Sequence, residues 1–254
     1  MKIGICTSDP KQILLAYELG YDFVEVNNKG DVMNDEKYPE LLALSKKLPE
    51  GFFYSCNCLL SPSPRITGPD ADPDGLREYC EKSFARLAEL GVRMIVFGSS
   101  DAKRIPEGFS REVATEQIIN AVRMFSDIAE KYGQRVCIEP LREAECNCVN
   151  TVDEAVEIAA LADRANVGAH ADYYHMMQNG EKLSKLTTLA KHIMHTHIAS
   201  PCKRNAPSAD DGADYKYFFD ALRRGGYDAT VSFEGSFKPT REDMREMRDY
   251  LASL

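Results

Sequence analysis

Short apolar runs alternate with amphipathic stretches from one end of the chain to the other. The runs fall near 2–6, 22–26, 52–57, 93–97, 135–139, 166–171, 192–198 and 229–234. They are rich in Val, Ile and Phe and bounded by Gly, Asn, Asp or Pro, which predicts strands. Between them, near 10–19, 36–48, 74–90, 111–132, 151–162, 181–190, 214–224 and 240–252, apolar residues recur at helical spacing. Strand and helix in strict alternation predict βαβ units around a parallel sheet. Eight of each over 254 residues is the count of a (β/α)₈ TIM barrel, so an α/β fold with one domain over 1–254 is expected.

The joints agree with this reading. Glu18-Leu19-Gly20, Glu89-Leu90-Gly91 and Gly225-Gly226 each precede a strand, and glycine suits the left-handed position that ends a helix. Thr151-Val152-Asp153-Glu154 and Ser110-Arg111-Glu112 read as capped helix starts with acidic first turns. Long polar segments follow the third, fourth and seventh strands. Loops that leave the C-terminal ends of barrel strands carry function, so their length marks that face as the active one.

The formal charge of −9 and the lack of any Lys/Arg run longer than two residues argue against a nucleic-acid partner. No stretch of 18 apolar residues exists, so no membrane span is expected. The start, Met1-Lys2-Ile3-Gly4-Ile5-Cys6, reads as a strand rather than a secretion signal. A cytoplasmic setting is therefore expected. It makes the eight cysteines, including the pairs Cys56/Cys58 and Cys146/Cys148, reduced thiols that pack as small apolar groups.

Chemistry concentrates in the second half. Glu139, Asp172, His197 and Glu234 each close an apolar run, at intervals of 33, 25 and 37 residues. One βα unit takes about 30 residues, so the four belong at the C-terminal ends of four consecutive strands. Three carboxylates and an imidazole form a hard, oxygen-rich set suited to one divalent cation, Mn²⁺ first, with Mg²⁺, Co²⁺ or Zn²⁺ as alternatives. Three converging negative charges would repel one another without it. A cation held there polarises a carbonyl and acidifies the neighbouring C–H. Glu139 and Glu234 would then remove and return the proton from opposite sides, through an enediolate.

These residues also carry a resemblance. Glu139-Pro140-Leu141 with Glu145 and Asn150, Asp172-Tyr173-Tyr174-His175-Met176, His195-Thr196-His197-Ile198-Ala199 and Val231-Ser232-Phe233-Glu234-Gly235 resemble the sugar phosphate isomerase/epimerase family. That is the xylose isomerase-like barrel superfamily, with its ketose 3-epimerases, hydroxypyruvate isomerases and inosose dehydratases. The likeness covers the whole chain and is densest over 93–235. It implies that Glu139 and Glu234 are both metal ligands and the acid/base pair, with Asp172 and His197 completing the shell. It further implies that Glu145 contacts substrate hydroxyls, that His175 holds the carbonyl end of the substrate, and that Arg204 is the arginine following the strand-seven histidine. Ser200 departs from the pattern, standing where an acidic residue is usual. A homodimer or homotetramer is implied by resemblance alone.

The expected function is thus a metal-dependent isomerase or epimerase of a sugar or small keto sugar. A lyase on the same scaffold, dehydrating a cyclic polyol ketone or a dehydroshikimate-like acid, is the alternative. An abasic-site endonuclease needs histidines from strands two to four, and the first histidine here is His170. An inactive sugar-binding barrel would not need both Glu139 and Glu234. No glycine-rich phosphate loop opens a helix after strands seven or eight, so a free sugar or small keto acid fits as well as a sugar phosphate. Among the remaining histidines, His170 is expected to be a satisfied core residue, and His195 shares the side of His197. Asn57 and Ser99 could face substrate, and the register leaves the side of Glu25 open.

Overall fold

The computed structural model describes residues 1–254. Eight parallel strands close into a barrel in sequence order: Lys2–Cys6 (β1), Phe23–Asn27 (β2), Phe53–Asn57 (β3), Met94–Phe97 (β4), Arg135–Ile138 (β5), Val167–Asp172 (β6), Ile193–Ile198 (β7) and Thr230–Phe233 (β8), with β8 pairing back onto β1. Helices Pro10–Glu18, Tyr38–Ser45, Pro73–Leu90, Arg111–Glu130, Val152–Ala162, Tyr215–Arg224 and Arg241–Ser253 surround it. Their starts follow the sequence cues. Ser110 accepts from the Val113 N–H, and Thr151 with Glu154 forms a reciprocal capping box. Gly91 ends its helix at φ 96°, where a side chain would be strained. No helix is long and apolar enough to cross a membrane.

One expected helix is not there. The stretch 181–190 forms a 3₁₀ turn at Leu183–Lys185, a single turn at Leu186–Leu189 and another 3₁₀ turn at Ala190–His192. No side chain caps any of these starts. Chain direction after β6 is set instead by Tyr173–Gln178, a short helix capped by Asp172 through the His175 N–H.

Strand parity divides the core into two layers. Phe97 points outward onto Phe125 of its flanking helix, ring centroids 5.1 Å apart. Met94 and Val96 therefore point inward, where with Cys137 they form a small separate apolar cluster against Tyr54 and Met194. Above that cluster the interior turns polar: Glu25, Ser55, His170, His195 and Ser232 are all fully buried. Register places Asp172 beside His197 and His197 beside Ser232, which lifts the ligand-type residues onto the C-terminal rim.

Candidate active site

Glu139, Asp172, His197 and Glu234 converge. One ligand atom from each lies within 4.8 Å of the others. His197 Nδ1 is the hub, 3.3 Å from Glu139 Oε1, 3.5 Å from Glu234 Oε2 and 3.8 Å from Asp172 Oδ2. Glu139 and Glu234 stand one residue beyond the observed ends of β5 and β8, so they extend from the rim into the barrel mouth. His197 Nδ1 and Glu139 Oε1 are buried and have no hydrogen-bond partner. Buried polar atoms are rarely left this way, and two such orphans facing a third and fourth donor fit a divalent cation. The cluster is thus able to hold a metal.

The orientation of His197 comes from below. Its Nε2 lies 2.8 Å from Glu25 Oε1, while Glu25 Oε2 receives His195 Nε2 at 2.7 Å and the hydroxyls of Ser55 and Ser232 at 2.8 Å each. Burial works to raise the Glu25 pKa, but the two imidazoles outweigh it and hold the group well below the usual carboxylate range. An ionised carboxylate only accepts, so His197 carries its proton on Nε2 when neutral and presents a lone pair at Nδ1. Burial likewise opposes charge on His197, yet Glu25 and Glu234 lift its pKa well above the ordinary imidazole value. A proton and a metal ion are alternatives at that corner.

Glu234 is held at both oxygens. Asn57 Nδ2 donates to Oε1 at 2.7 Å, and the Arg204 guanidinium donates to Oε2. Burial pushes its pKa up, but His197 and Arg204 prevail and bring it to about 2. Asn57 therefore orients a carboxylate. Glu139 is fixed from behind: buried Lys103 donates to its carbonyl oxygen at 3.0 Å, and Gly98 leaves the room its carboxylate occupies. A Cβ at position 98 would lie 2.2 Å from Glu139 Oε2.

His175, Glu145 and Arg204 gather at the mouth. The Arg142 N–H donates to His175 Nδ1 at 3.1 Å, so the His175 proton sits on Nε2, 3.4 Å from an Arg204 nitrogen and 3.8 Å from Asp172 Oδ2. Glu145 Oε1 accepts from Arg142 Nε at 2.6 Å and lies 3.6 Å from Arg204. Arg204 adopts a left-handed backbone, φ 50°, which costs a non-glycine residue on the order of 1–2 kcal/mol. Hydrogen bonds to Ser200 O and from the Ser236 N–H hold it there.

One expectation changes and two open positions resolve. His170 is buried, but it is not satisfied: both ring nitrogens lack partners, and its ring meets that of His197 edge-on at 4.2 Å. Burial drives its pKa well down, so the ring is a neutral packing group. Ser99 turns away, its hydroxyl accepting from the Leu60 N–H. Glu25, left open by the sequence, faces inward and organises the interior. All eight cysteines are free thiols. Cys146 and Cys148 touch at 3.6 Å, and the Cys148 contact brings the Cys146 pKa down to about 6. Sequence reasoning also missed Lys103 and Arg142. Both lie in loop or single-turn segments with no periodicity to expose them.

Comparison with known proteins agrees with the barrel. The chain is 35% identical over 142 residues to 2-oxo-tetronate isomerase of Haemophilus influenzae, an alignment that spans about half of each protein (54% and 54%). It is 27% identical over 221 residues to the ketose 3-epimerase of Arthrobacter globiformis, covering 85% of this chain and 74% of that one. The crystal structure of D-psicose 3-epimerase in the presence of D-fructose superposes with a TM-score of 0.85 over 98% of both chains at 18% identity, which speaks to fold alone. The family model for the xylose isomerase-like TIM barrel matches residues 13–254, and the chain belongs to that family.

Proposed function

We propose that this chain is a divalent-metal-dependent isomerase or epimerase of a sugar or small keto sugar. The observation that carries the reading is the convergence of Glu139, Asp172, His197 and Glu234 within 4.8 Å. Those residues would hold the cation, with Mn²⁺ the best match to three carboxylates and one imidazole. Bound there, it would polarise the substrate carbonyl and lower the pKa of the adjacent C–H.

The chain's own residues supply the rest. Glu139 and Glu234 reach the centre from β5 and β8, on opposite sides of β6 and β7. A substrate carbon between them meets one carboxylate on each face. One removes the proton next to the carbonyl, leaving an enediolate, and the other returns a proton to the same or the neighbouring carbon. Asn57 and Arg204 hold both oxygens of Glu234, which fixes the direction of its attack. His175 Nε2–H and Arg204 donate toward the carbonyl end, and Glu145 accepts from substrate hydroxyls. The relatives named for a ketose and for 2-oxo-tetronate act on compounds with a carbonyl beside a C–H that bears a hydroxyl, which is the group this arrangement suits.

Heavy-water exchange tests the reading. The Mn²⁺-loaded protein is incubated with ketoses and keto acids in D₂O, and the labelled carbon is located by NMR. Deuterium is expected next to the carbonyl, and exhaustive EDTA treatment is expected to stop its uptake. Exchange that persists after chelation would refute the metal role, and loss of a hydroxyl instead of exchange would point to the lyase.

A further inference from the structure

We propose that Cys146 and Cys148 form a redox site, which hydrogen peroxide closes to a disulfide and whose closure loosens the support of Glu139 and Glu145. The two sulfurs lie 3.6 Å apart, separated in sequence by Asn147 alone. A disulfide needs about 2.05 Å, so a short movement joins them. The chain bends at Asn147 and Cys148 and turns left-handed at Val149, φ 54°, which is rare for a β-branched residue. Such strain persists where the surroundings over-determine the backbone.

Chemistry separates this pair from the other thiols. Burial raises the pKa of Cys6, Cys56, Cys58, Cys80 and Cys137, which keeps them protonated and inert. Cys146 goes the other way: the Cys148 contact outweighs burial, and Lys103 and Arg104 add positive charge. The same contact raises the Cys148 pKa. The pair thus offers a thiolate beside a thiol. Cys148 also lines a groove of about 470 Å³ between the helices Arg111–Glu130 and Val152–Ala162, together with Thr115, Val149 and Ile158. Hydrogen peroxide, little larger than water, fits a groove of that size.

The Cys146 thiolate attacks one peroxide oxygen. The O–O bond breaks, hydroxide leaves, and Cys146 becomes a sulfenic acid. The Cys148 sulfur then displaces the sulfenic hydroxyl, which departs as water with the Cys148 proton. The first hydroxide takes up the proton that Cys146 had released. Two thiols lose two electrons and two protons, and one peroxide becomes two waters.

Closure reaches the candidate active site through one turn of chain. Cys148 Sγ lies 3.0 Å from Lys103 O, and Cys146 Sγ lies 3.5 Å from Ser100 O. A disulfide has no S–H to donate to either carbonyl. Lys103 donates to Glu139 O, and Arg104 donates to Glu145 O. Asn147, inside the closing ring, holds Ile105 twice: its Oδ1 accepts from the Ile105 N–H at 3.0 Å, and its Nδ2 donates to Ile105 O at 2.9 Å. Drawing the sulfurs together therefore pulls on residues 100–105, which brace both glutamates.

Peroxide treatment of the whole protein tests the proposal. Free thiols are then alkylated in denaturant and the chain is cut with trypsin. The peptide Glu143–Arg164 carries Cys146 and Cys148 and no other cysteine. It is expected to lose two hydrogens, to resist alkylation and to recover with dithiothreitol. Both thiols still free once the exposed Cys202 is oxidised, or a sulfinic acid in place of the disulfide, would overturn the site. In Cys148→Ser, dimedone is expected to label Cys146 as a sulfenic acid, and the lack of a label would overturn its role as the attacking sulfur. Backbone hydrogen exchange reads the loosening. The Ile105 amide is expected to exchange about 3- to 10-fold faster in the oxidised protein, the worth of one neutral hydrogen bond. Unchanged exchange would refute the link from the disulfide to the two glutamates.

Discussion

Glu25 lies beneath the candidate metal cluster and fixes the orientation of His197, and its replacement gives a quantitative test. Glu25→Ala would strand four buried donors: two imidazole N–H groups and two hydroxyls. At about 1–3 kcal/mol each, the total approaches the whole stability of an ordinary domain, about 5–15 kcal/mol. That variant should fail to fold. Glu25→Gln keeps the volume and one acceptor oxygen. With the amide oxygen toward His197, the amide nitrogen meets His195 and the two serines. His195 can switch tautomer and donate from Nδ1 to Thr230 Oγ1, now 2.7 Å away, and the hydroxyls can rotate. The barrel should survive with a loss of about 1–3 kcal/mol.

Metal binding should suffer more selectively. Without an anionic partner on Nε2, His197 becomes a poorer ligand. Loss of such a supporting carboxylate weakens metal affinity by about 10- to 100-fold, or roughly 1.4–2.7 kcal/mol. Calorimetric titration with Mn²⁺ measures the affinity directly. Thermal melts with and without Mn²⁺ measure it again, since the stabilisation by a bound ligand falls with its dissociation constant. A folded Glu25→Gln protein that binds Mn²⁺ within about threefold of the wild type would refute the argument.

What the sequence reveals and conceals follows from the same physics. Glu139, Asp172, His197 and Glu234 were legible because each interrupts an apolar run where a strand must end, one unit after the last. Glu25 was hidden by its strand, Phe23-Val24-Glu25-Val26-Asn27, where both faces are buried and parity alone does not say which is interior. A carboxylate in the middle of a strand covered on both sides was the available signal, since such a charge must find donors. His175 and Glu145 were found only through resemblance, because loops carry no period. Arg142 and Lys103 carried no signal: a loop arginine and a lysine in a one-turn helix usually face water. The missing helix at 181–190 shows the reverse error, an apolar spacing that matched helix without a cap to start one.

Two further perturbations probe the site and the fold. Gly98→Ala places a Cβ where Glu139 Oε2 now sits, although the backbone there is not left-handed and would accept alanine. Exchange activity is expected to fall at least about 100-fold, with overpacking costing only about 1–3 kcal/mol of stability; undiminished exchange would show that Glu139 is free to stand elsewhere. Glu181 tests a titration to which none of the four candidate metal ligands contributes. Its Oε2 accepts from the Val152 N–H at 3.0 Å, and burial raises its pKa from 4.5 to about 7. The folded protein thus keeps this proton up to about pH 7, whereas the unfolded chain releases it near 4.5. Folded protein binds more protons in that window, so stability is full below it, declines as pH rises through it and levels off above. Glu181→Gln keeps the acceptor and never ionises. Discounted for partial solvent screening, its gain over the wild type at pH 8 should be about 1–2 kcal/mol, vanishing near pH 4.5. Urea melts at the two pH values measure the difference, and an equal change at both would mean that Glu181 is ionised in the folded chain after all.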